Sequence, residues 1–293
     1  MSVGRRTVTK TYVAAQTVEE AVRAVSQTVA TIFAGGTDLM PRWFRNLVPR
    51  PTAVVDIKGV EQLRGVKLAD GEVSVGACVL MSELETHPTI RAAAPILAEA
   101  AARIACPQIR NRATVGGNLC NGSPAADTAV PLILLDAVLE IAACRPNGIA
   151  TREIPIAEFF RGPGSTALQP GEVLTCIRFK PLPAGSFWAW DKFGTRPAME
   201  IAVASVGVVL HRVEGRVVAA RVAYGSVAPI PLRGRHAESV LVGQPLSREV
   251  VDRCVAAASE EISPITDVRA SAGYRREIVG VLLRRMLENA ASF

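Results

Sequence analysis

Residues 30–38 read Ala30-Thr31-Ile32-Phe33-Ala34-Gly35-Gly36-Thr37-Asp38, an apolar run that stops at two adjacent glycines and small polar residues. The run reads as a short buried strand and the glycines as a turn. A phosphate-holding loop requires this context, because glycine reaches positive φ cheaply and lets main-chain N–H groups approach an anion closely. A second stretch, Thr114-Val115-Gly116-Gly117-Asn118, repeats the pattern. Either glycine pair alone is equally a structural turn. Two in one α/β region fit an extended anionic ligand held from both sides. Neither pair matches G-x-G-x-x-G or a loop ending in Gly-Lys-Ser/Thr, which argues against those two nucleotide folds.

Working outward, Thr17-Val-Glu-Glu20 reads as a capping box that opens an amphipathic helix through about Ser26. Strands are expected at 53–57, 72–76, 138–142 and 173–179, an alanine-rich helix over 90–105 and another over 128–135. Pro181-Leu-Pro-Ala-Gly185 reads as a linker. Beyond it, β-branched runs at 202–212 and 217–224 flank Val213-Glu-Gly-Arg216, a hairpin signature. Helices then follow over 247–262, with Ser247 as N-cap, and 272–290. The pattern is an N-terminal α/β region to about residue 180 and a smaller antiparallel α+β domain after it.

With 49% hydrophobic and 20% charged residues among 293, the chain is an ordinary folded protein with room for a large core. Its formal charge of +6 is spread rather than striped, with short doublets at Arg5-Arg6, Arg275-Arg276 and Arg284-Arg285, so no nucleic-acid surface is expected. No apolar segment follows the N-terminal arginines, and the greasiest stretch, 130–144, carries Asp136 and Glu140, so neither an export signal nor a membrane span is expected. A cytoplasmic location follows as an expectation. The six cysteines at 78, 106, 120, 144, 176 and 254 include no close pair, which argues against a metal site or cluster in this chain.

The glycine stretches sit within longer words: Ala34-Gly-Gly-Thr-Asp38, Val54-Val-Asp56, Pro107-Gln-Ile-Arg-Asn111 and Ala113-Thr-Val-Gly-Gly-Asn-Leu-Cys-Asn-Gly-Ser-Pro-Ala-Ala-Asp127. Further on come Phe160-Arg-Gly-Pro-Gly164, Lys192, Ile201-Ala-Val-Ala204 and Ala223-Tyr-Gly-Ser-Val-Ala-Pro229. Together they resemble the flavin subunits of the molybdenum hydroxylases, a family that includes xanthine dehydrogenase and carbon monoxide dehydrogenase. The resemblance implies an α+β chain. Residues 1–180 would form an FAD-binding fold of the vanillyl-alcohol-oxidase (PCMH-like) type, two α/β subdomains divided near 58–62. Residues 186–293 would form a C-terminal α+β domain of the carbon monoxide dehydrogenase flavoprotein type, an antiparallel sheet with helices.

The resemblance also places Ala34, Gly35, Gly36, Thr37 and Asp38 with Thr114, Gly116, Gly117 and Asn118 around the pyrophosphate and ribityl parts of FAD. Leu39 would approach the isoalloxazine ring, Asp127 would accept from a cofactor hydroxyl, and Lys192 would lie by the flavin. Cys120, Ser123 and Leu174 complete the cofactor-binding set, with Cys120 expected to pack rather than bond covalently. Read as residues alone, Asp127 equally caps the helix that begins near 128, and Lys192 is equally a solvated charge beside Trp188 and Trp190.

By the same resemblance, a [2Fe–2S] subunit and a molybdopterin-bearing subunit are the partners, as a dimer of heterotrimers, and NAD+ or another acceptor takes the electrons. The wording around residues 107–127 leans towards xanthine-dehydrogenase-like subunits. The family branch with an additional cluster in its flavin subunit carries a cysteine-rich insertion, which this chain lacks. The competing reading, a self-contained FAD-dependent oxidase of the same fold, needs a positioned base, and three histidines and three tyrosines form no obvious pair.

Overall fold

Thr17 opens the first helix as its sequence implies: its Oγ1 accepts the Glu20 N–H at 3.1 Å. The Glu20 carboxylate reaches back to the Gln16 N–H at 2.7 Å, one residue earlier than in a regular capping box. The computed structural model describes residues 11–27, 29–196 and 198–293. The Arg5-Arg6 doublet lies outside them.

The first unit runs β1 (Thr11–Ala14), α1 (Val18–Gln27), β2 (Ala30–Phe33), α2 (Leu39–Phe44) and β3 (Ala53–Asp56). Each strand returns through a helix, so the three pair in parallel with β3 in the centre. Ala21, Val22 and Val25 of α1 pack with Val55 and Ile57 in a small core. A 3-10 turn at Glu61–Leu63 leads into the next unit.

The second unit holds β4 (Val66–Ala69), β5 (Glu72–Gly76), six short helices, β6 (Val138–Arg145), β7 (Gly148–Pro155), α9 (Ile156–Phe159), the small β8 (Phe160–Gly162) and β9 (Ser165–Thr166), and β10 (Glu172–Phe179). The helices are α3 (Met81–Thr86), α4 (Pro88–Ala93), α5 (Pro95–Ala102), α6 (Pro107–Arg110), α7 (Val115–Cys120) and α8 (Ala129–Leu134). Its five-stranded sheet, β4-β5-β10-β6-β7, is antiparallel at every pairing.

Two expectations change here. The single helix over 90–105 is α4 and α5 with a break at Ala94 (φ −146°, ψ 60°), because Pro95 disfavours helical geometry in the residue before it. The second glycine stretch is the first turn of α7 rather than a loop.

The third unit is β11 (Phe187–Phe193), β12 (Ala204–Val213), β13 (Arg216–Gly225) and β14 (Leu232–Arg233), then α10 (Arg235–Leu241), α11 (Arg248–Glu261) and α12 (Ala272–Ser292). The β12–β13 hairpin turns on Glu214 and Gly215, both at positive φ (49° and 78°), as a two-residue turn matching strand twist requires. Ser247 accepts the Val250 N–H at 3.3 Å and Ser271 accepts the Tyr274 N–H at 3.2 Å, capping α11 and α12. One sheet face packs on these helices through Val206, Val208, Leu210, Leu283 and Leu287.

The opposite face lies on α8. A Cβ on Gly207 would stand 2.6 Å from Leu134, and Arg221 and Arg233 donate to the Leu134 and Ile133 carbonyls at 2.9 and 3.2 Å, at the C-terminal end of that helix. Trp190, Val209 and Ala223 therefore belong to the same core as Leu132 and Ile133. Among the described residues, no helix is long and apolar enough to cross a membrane.

Arg275, 3% exposed, donates to the Val203 and Ser226 carbonyls at 2.6 and 3.0 Å and to Asp267 at 2.7 Å. The Arg269 N–H, with Arg275 and the Ala270 N–H, lowers the Asp267 carboxyl to about 2. A lowered carboxyl contributes stability that is complete above its unfolded value near 4 and lost as pH falls towards 2. Denaturant unfolding across this range is expected to show that loss, and Asp267→Asn to remove that part of the acid dependence. An unchanged acid limb in the variant would contradict it.

Candidate functional site

β2 delivers its last residue, Phe33, into the turn at 34–38, and α2 starts immediately after. Gly36 sits at φ +69°, and a Cβ there would stand 2.5 Å from the Phe33 ring. Gly35 is constrained differently: its Cβ would stand 2.0 Å from the Arg112 carbonyl oxygen, so the turn presses directly on the backbone that precedes Thr114. Among the described residues, the N–H groups of Gly35, Gly36, Thr37, Asp38 and Leu39 have no protein acceptor. Consecutive free amides in a turn before a helix form an anion cradle.

The facing segment is built otherwise. Met81 donates to the Ala113 carbonyl at 2.9 Å, Val115 to Val79 at 3.0 Å and Gly116 to Ala77 at 2.9 Å, which staples residues 113–116 along 77–81. A Cβ on Gly116 would stand 2.6 Å from the Ala77 oxygen, so this glycine is needed for close backbone approach. Thr114 caps α7, its Oγ1 accepting the Gly117 N–H at 3.1 Å. The amides of Gly116 and Gly117 are thus occupied, and this side contributes shape and the Asn118 side chain.

Between the two lies a cavity of roughly 390 Å³, within the usual size of small-molecule pockets. It is lined by Ala34, Gly35, Gly36, Thr37, Asp38, Leu39, Thr114, Gly116, Gly117, Asn118, Cys120 and Leu174, and its apolar wall includes Ile32, Ile57, Ile104 and Ile109. Arg42, one turn after Asp38, also lines it, donating to Asn121 at 3.5 Å and lying 3.5 Å from the Asp38 carboxylate. Burial pushes the Cys120 thiol up to about 12, so it remains neutral at physiological pH.

Ser123, Asp127 and Lys192 stand outside this lining. Ser123 Oγ accepts the Ala125 N–H at 3.2 Å. Lys192 is 5% exposed, so it is no solvated charge. Its Nζ donates to Asp127 Oδ2 at 2.7 Å and to the Arg103 carbonyl at 2.8 Å. Asp127 makes no capping bond to α8, and its Oδ1 is buried with no partner among the described residues. Burial pushes the Asp127 carboxyl up, and Lys192 opposes the shift. The pair joins β11 to the segment before α8, where Arg103 also meets Asp191 and lies 5.2 Å from the Trp190 ring. One residue on, Thr128 bonds to Asn118 at 2.6 Å and so links this network to the cavity.

Arg42, Asn121 and Gly164 line the cavity without having been expected there. Arg42 carried a usable signal, a cation four residues after Asp38 at a helix start. Asn121 and Gly164 lay within the words 113–127 and 160–164 without a site role, and the chain's return at Gly164, which donates to the Gly122 carbonyl at 2.9 Å, is what brings Gly164 to this wall. All six cysteines are free, and among the described residues no three His, Cys, Asp or Glu side chains are placed to hold a metal.

The family described as "FAD binding domain in molybdopterin dehydrogenase" matches residues 6–182. The chain belongs to the FAD-binding subunits of the molybdenum hydroxylases. The C-terminal part of this flavin subunit, residues 189–290, matches "CO dehydrogenase flavoprotein C-terminal domain". A putative xanthine dehydrogenase FAD-binding subunit from Escherichia coli K12 is 34% identical to it over 90% of this chain and 89% of its own length. The carbon monoxide dehydrogenase medium chain of Hydrogenophaga pseudoflava is 34% identical over 96% of both chains. A solved carbon monoxide dehydrogenase from that organism superposes with a TM-score of 0.90 at 34% identity, over 94% of this chain and 95% of that one. The flavin subunit is therefore part of an oxidoreductase, and FAD is the cofactor of its N-terminal region. The cavity fits that cofactor: free amides and a guanidinium suit a pyrophosphate, and the isoleucine wall suits an apolar ring system.

Proposed function

We propose that this flavin subunit receives electrons from a [2Fe–2S] partner fed by a molybdopterin-bearing subunit, and passes them from FAD to NAD+ or another acceptor in the cytoplasm. The observation that carries this reading is the run of five free amides at 35–39 in a cavity that Asn118 and Arg42 also line. Bound FAD supplies the exchange between single-electron iron–sulfur carriers and a two-electron acceptor.

The chain's own residues bind and orient. The amides of Gly35 to Leu39 and Arg42 would take the pyrophosphate. Gly116, Gly117 and Thr114 would allow close approach from the other side, and Leu39, Cys120 and Leu174 would exclude water. Asp127 and Ser123, which stand outside the cavity lining, would act from behind its wall, Asp127 through the adjacent Thr128–Asn118 bond. Lys192 would hold Asp127 charged near the flavin. Residues 1–180 would act as the FAD domain, with its halves meeting near 58–62, and 186–293 as the domain that closes on it. The assembly would be a dimer of heterotrimers of the xanthine-dehydrogenase type. Relatives named for xanthine and for carbon monoxide are equally identical to this chain, as expected of a subunit that handles electrons rather than substrate.

The purified chain is expected to show a flavin spectrum, to release free FAD on denaturation, and to contain no iron. Absence of releasable flavin, or iron in the isolated chain, would overturn the proposal.

A further inference from the structure

Asn118 lines the cavity, and its orientation is set by a residue that does not line it. Thr128 has no exposed surface, and its hydroxyl donates to Asn118 Oδ1 at 2.6 Å. Among the described residues the hydroxyl has no other acceptor. Were the amide turned over, its NH2 would face the hydroxyl oxygen and the hydroxyl hydrogen would be left buried without an acceptor, which is costly. The amide is thereby held with Oδ1 towards Thr128. Its Nδ2 has no acceptor among the described residues and is not among the buried unpartnered atoms, so it is an accessible donor on a residue that lines the cavity.

We propose that Thr128 is a positioning residue for FAD binding: its hydroxyl locks the Asn118 amide so that both Nδ2 hydrogens face the anionic part of the cofactor. An amide free to turn would present Oδ1 to phosphate oxygens, acceptor against acceptor. The lock is itself anchored, since the neighbouring Asp127 is held by Lys192 from β11. This inference rests on the cavity being the FAD site.

The test is titration of the flavin-free full chain with FAD, read by flavin fluorescence. Thr128→Val keeps the shape and removes the hydroxyl. It is expected to raise the Kd about tenfold, the worth of one net hydrogen bond, and Asn118→Ala to do the same. Thr128→Ser, which retains the hydroxyl, stays within about twofold of the parent, and Thr128→Val adds nothing in the Asn118→Ala background. Should the valine fail to fold, Thr128→Ala, which introduces no bulk, replaces it. Parent-like affinity in the valine or alanine variant, a serine variant as weak as the valine one, or multiplying effects in the double variant would overturn the positioning role. If Asn118→Ala leaves FAD affinity untouched, the cavity itself has been misassigned, which is a different failure.

Discussion

Gly36→Val is expected to leave the purified chain without flavin, with FAD affinity lowered about a hundredfold or more, the loss of two or more hydrogen bonds to a charged group. Gly36 sits at φ +69°, a conformation that a β-branched residue adopts only under strain. The new side chain would also meet the Phe33 ring, with Cβ only 2.5 Å from its nearest atom. That ring has little room to yield, because Trp43 stacks against it at 6.3 Å and Lys58 lies 4.3 Å from its centroid. The turn must therefore move, and the amides of residues 35–39 cease to converge.

Gly117→Val provides the contrast. Its Cβ would meet only Thr114 Oγ1, at 2.8 Å, so the damage is limited to the cap of α7, worth about 1 kcal/mol, and to crowding on one wall. Absorbance of the two proteins after gel filtration separates these outcomes. Stoichiometric flavin in the Gly36 variant would show that the turn does not hold the cofactor.

Lys192→Met is expected to destabilise the chain by about 3–5 kcal/mol at neutral pH, the usual consequence of leaving one member of a buried ion pair uncompensated. The side chains of Lys192 and Asp127 are 2% and 11% exposed, and Asp127 Oδ1 already lacks a partner among the described residues. The pH dependence has a definite sign. Burial already pushes the Asp127 carboxyl up, and removing Lys192 removes the largest opposing influence. In the variant, the folded state then binds a proton that the unfolded state has released, so stability falls as pH rises from the ordinary aspartate range through the raised folded value. The deficit is expected to shrink between pH 8 and pH 5, and Lys192→Met/Asp127→Asn to recover most of it at pH 7. A pH-independent deficit, or a double variant no better than the single one, would contradict this account. Urea unfolding measures both, and the loss falls on the seat of β11 against the core beside α8.

The parts of the site that were legible in the sequence are those where local covalent geometry restricts the residue type. Positive φ at Gly36 and backbone contact at Gly35 and Gly116 admit little but glycine, so the two stretches announced themselves. The capping serines and the Glu214-Gly215 hairpin were readable for the same reason, since their bonds close within four residues. Less legible were elements whose pattern is not periodic. β7 is an edge strand exposed along most of its length, and β11 carries Asp191 and Lys192 in an otherwise aromatic run. Short-range propensity also made one helix of residues 90–105, although Pro95 divides it.

By itself, then, the sequence determined the glycine turn after β2, the antiparallel character of the C-terminal half and the family to which the chain belongs, because each is written in contiguous residues. Tertiary structure alone decided which glycine stretch offers free amides, that Arg42 bonds to Asn121 in the cavity lining, and that Lys192 is buried on Asp127 rather than solvated. The reason is physical: whether an amide, guanidinium or ammonium is free, shared or desolvated depends on acceptors far away in the chain, such as Ala77 for Gly116 and Asp127 for Lys192. No local pattern of residues encodes that distance.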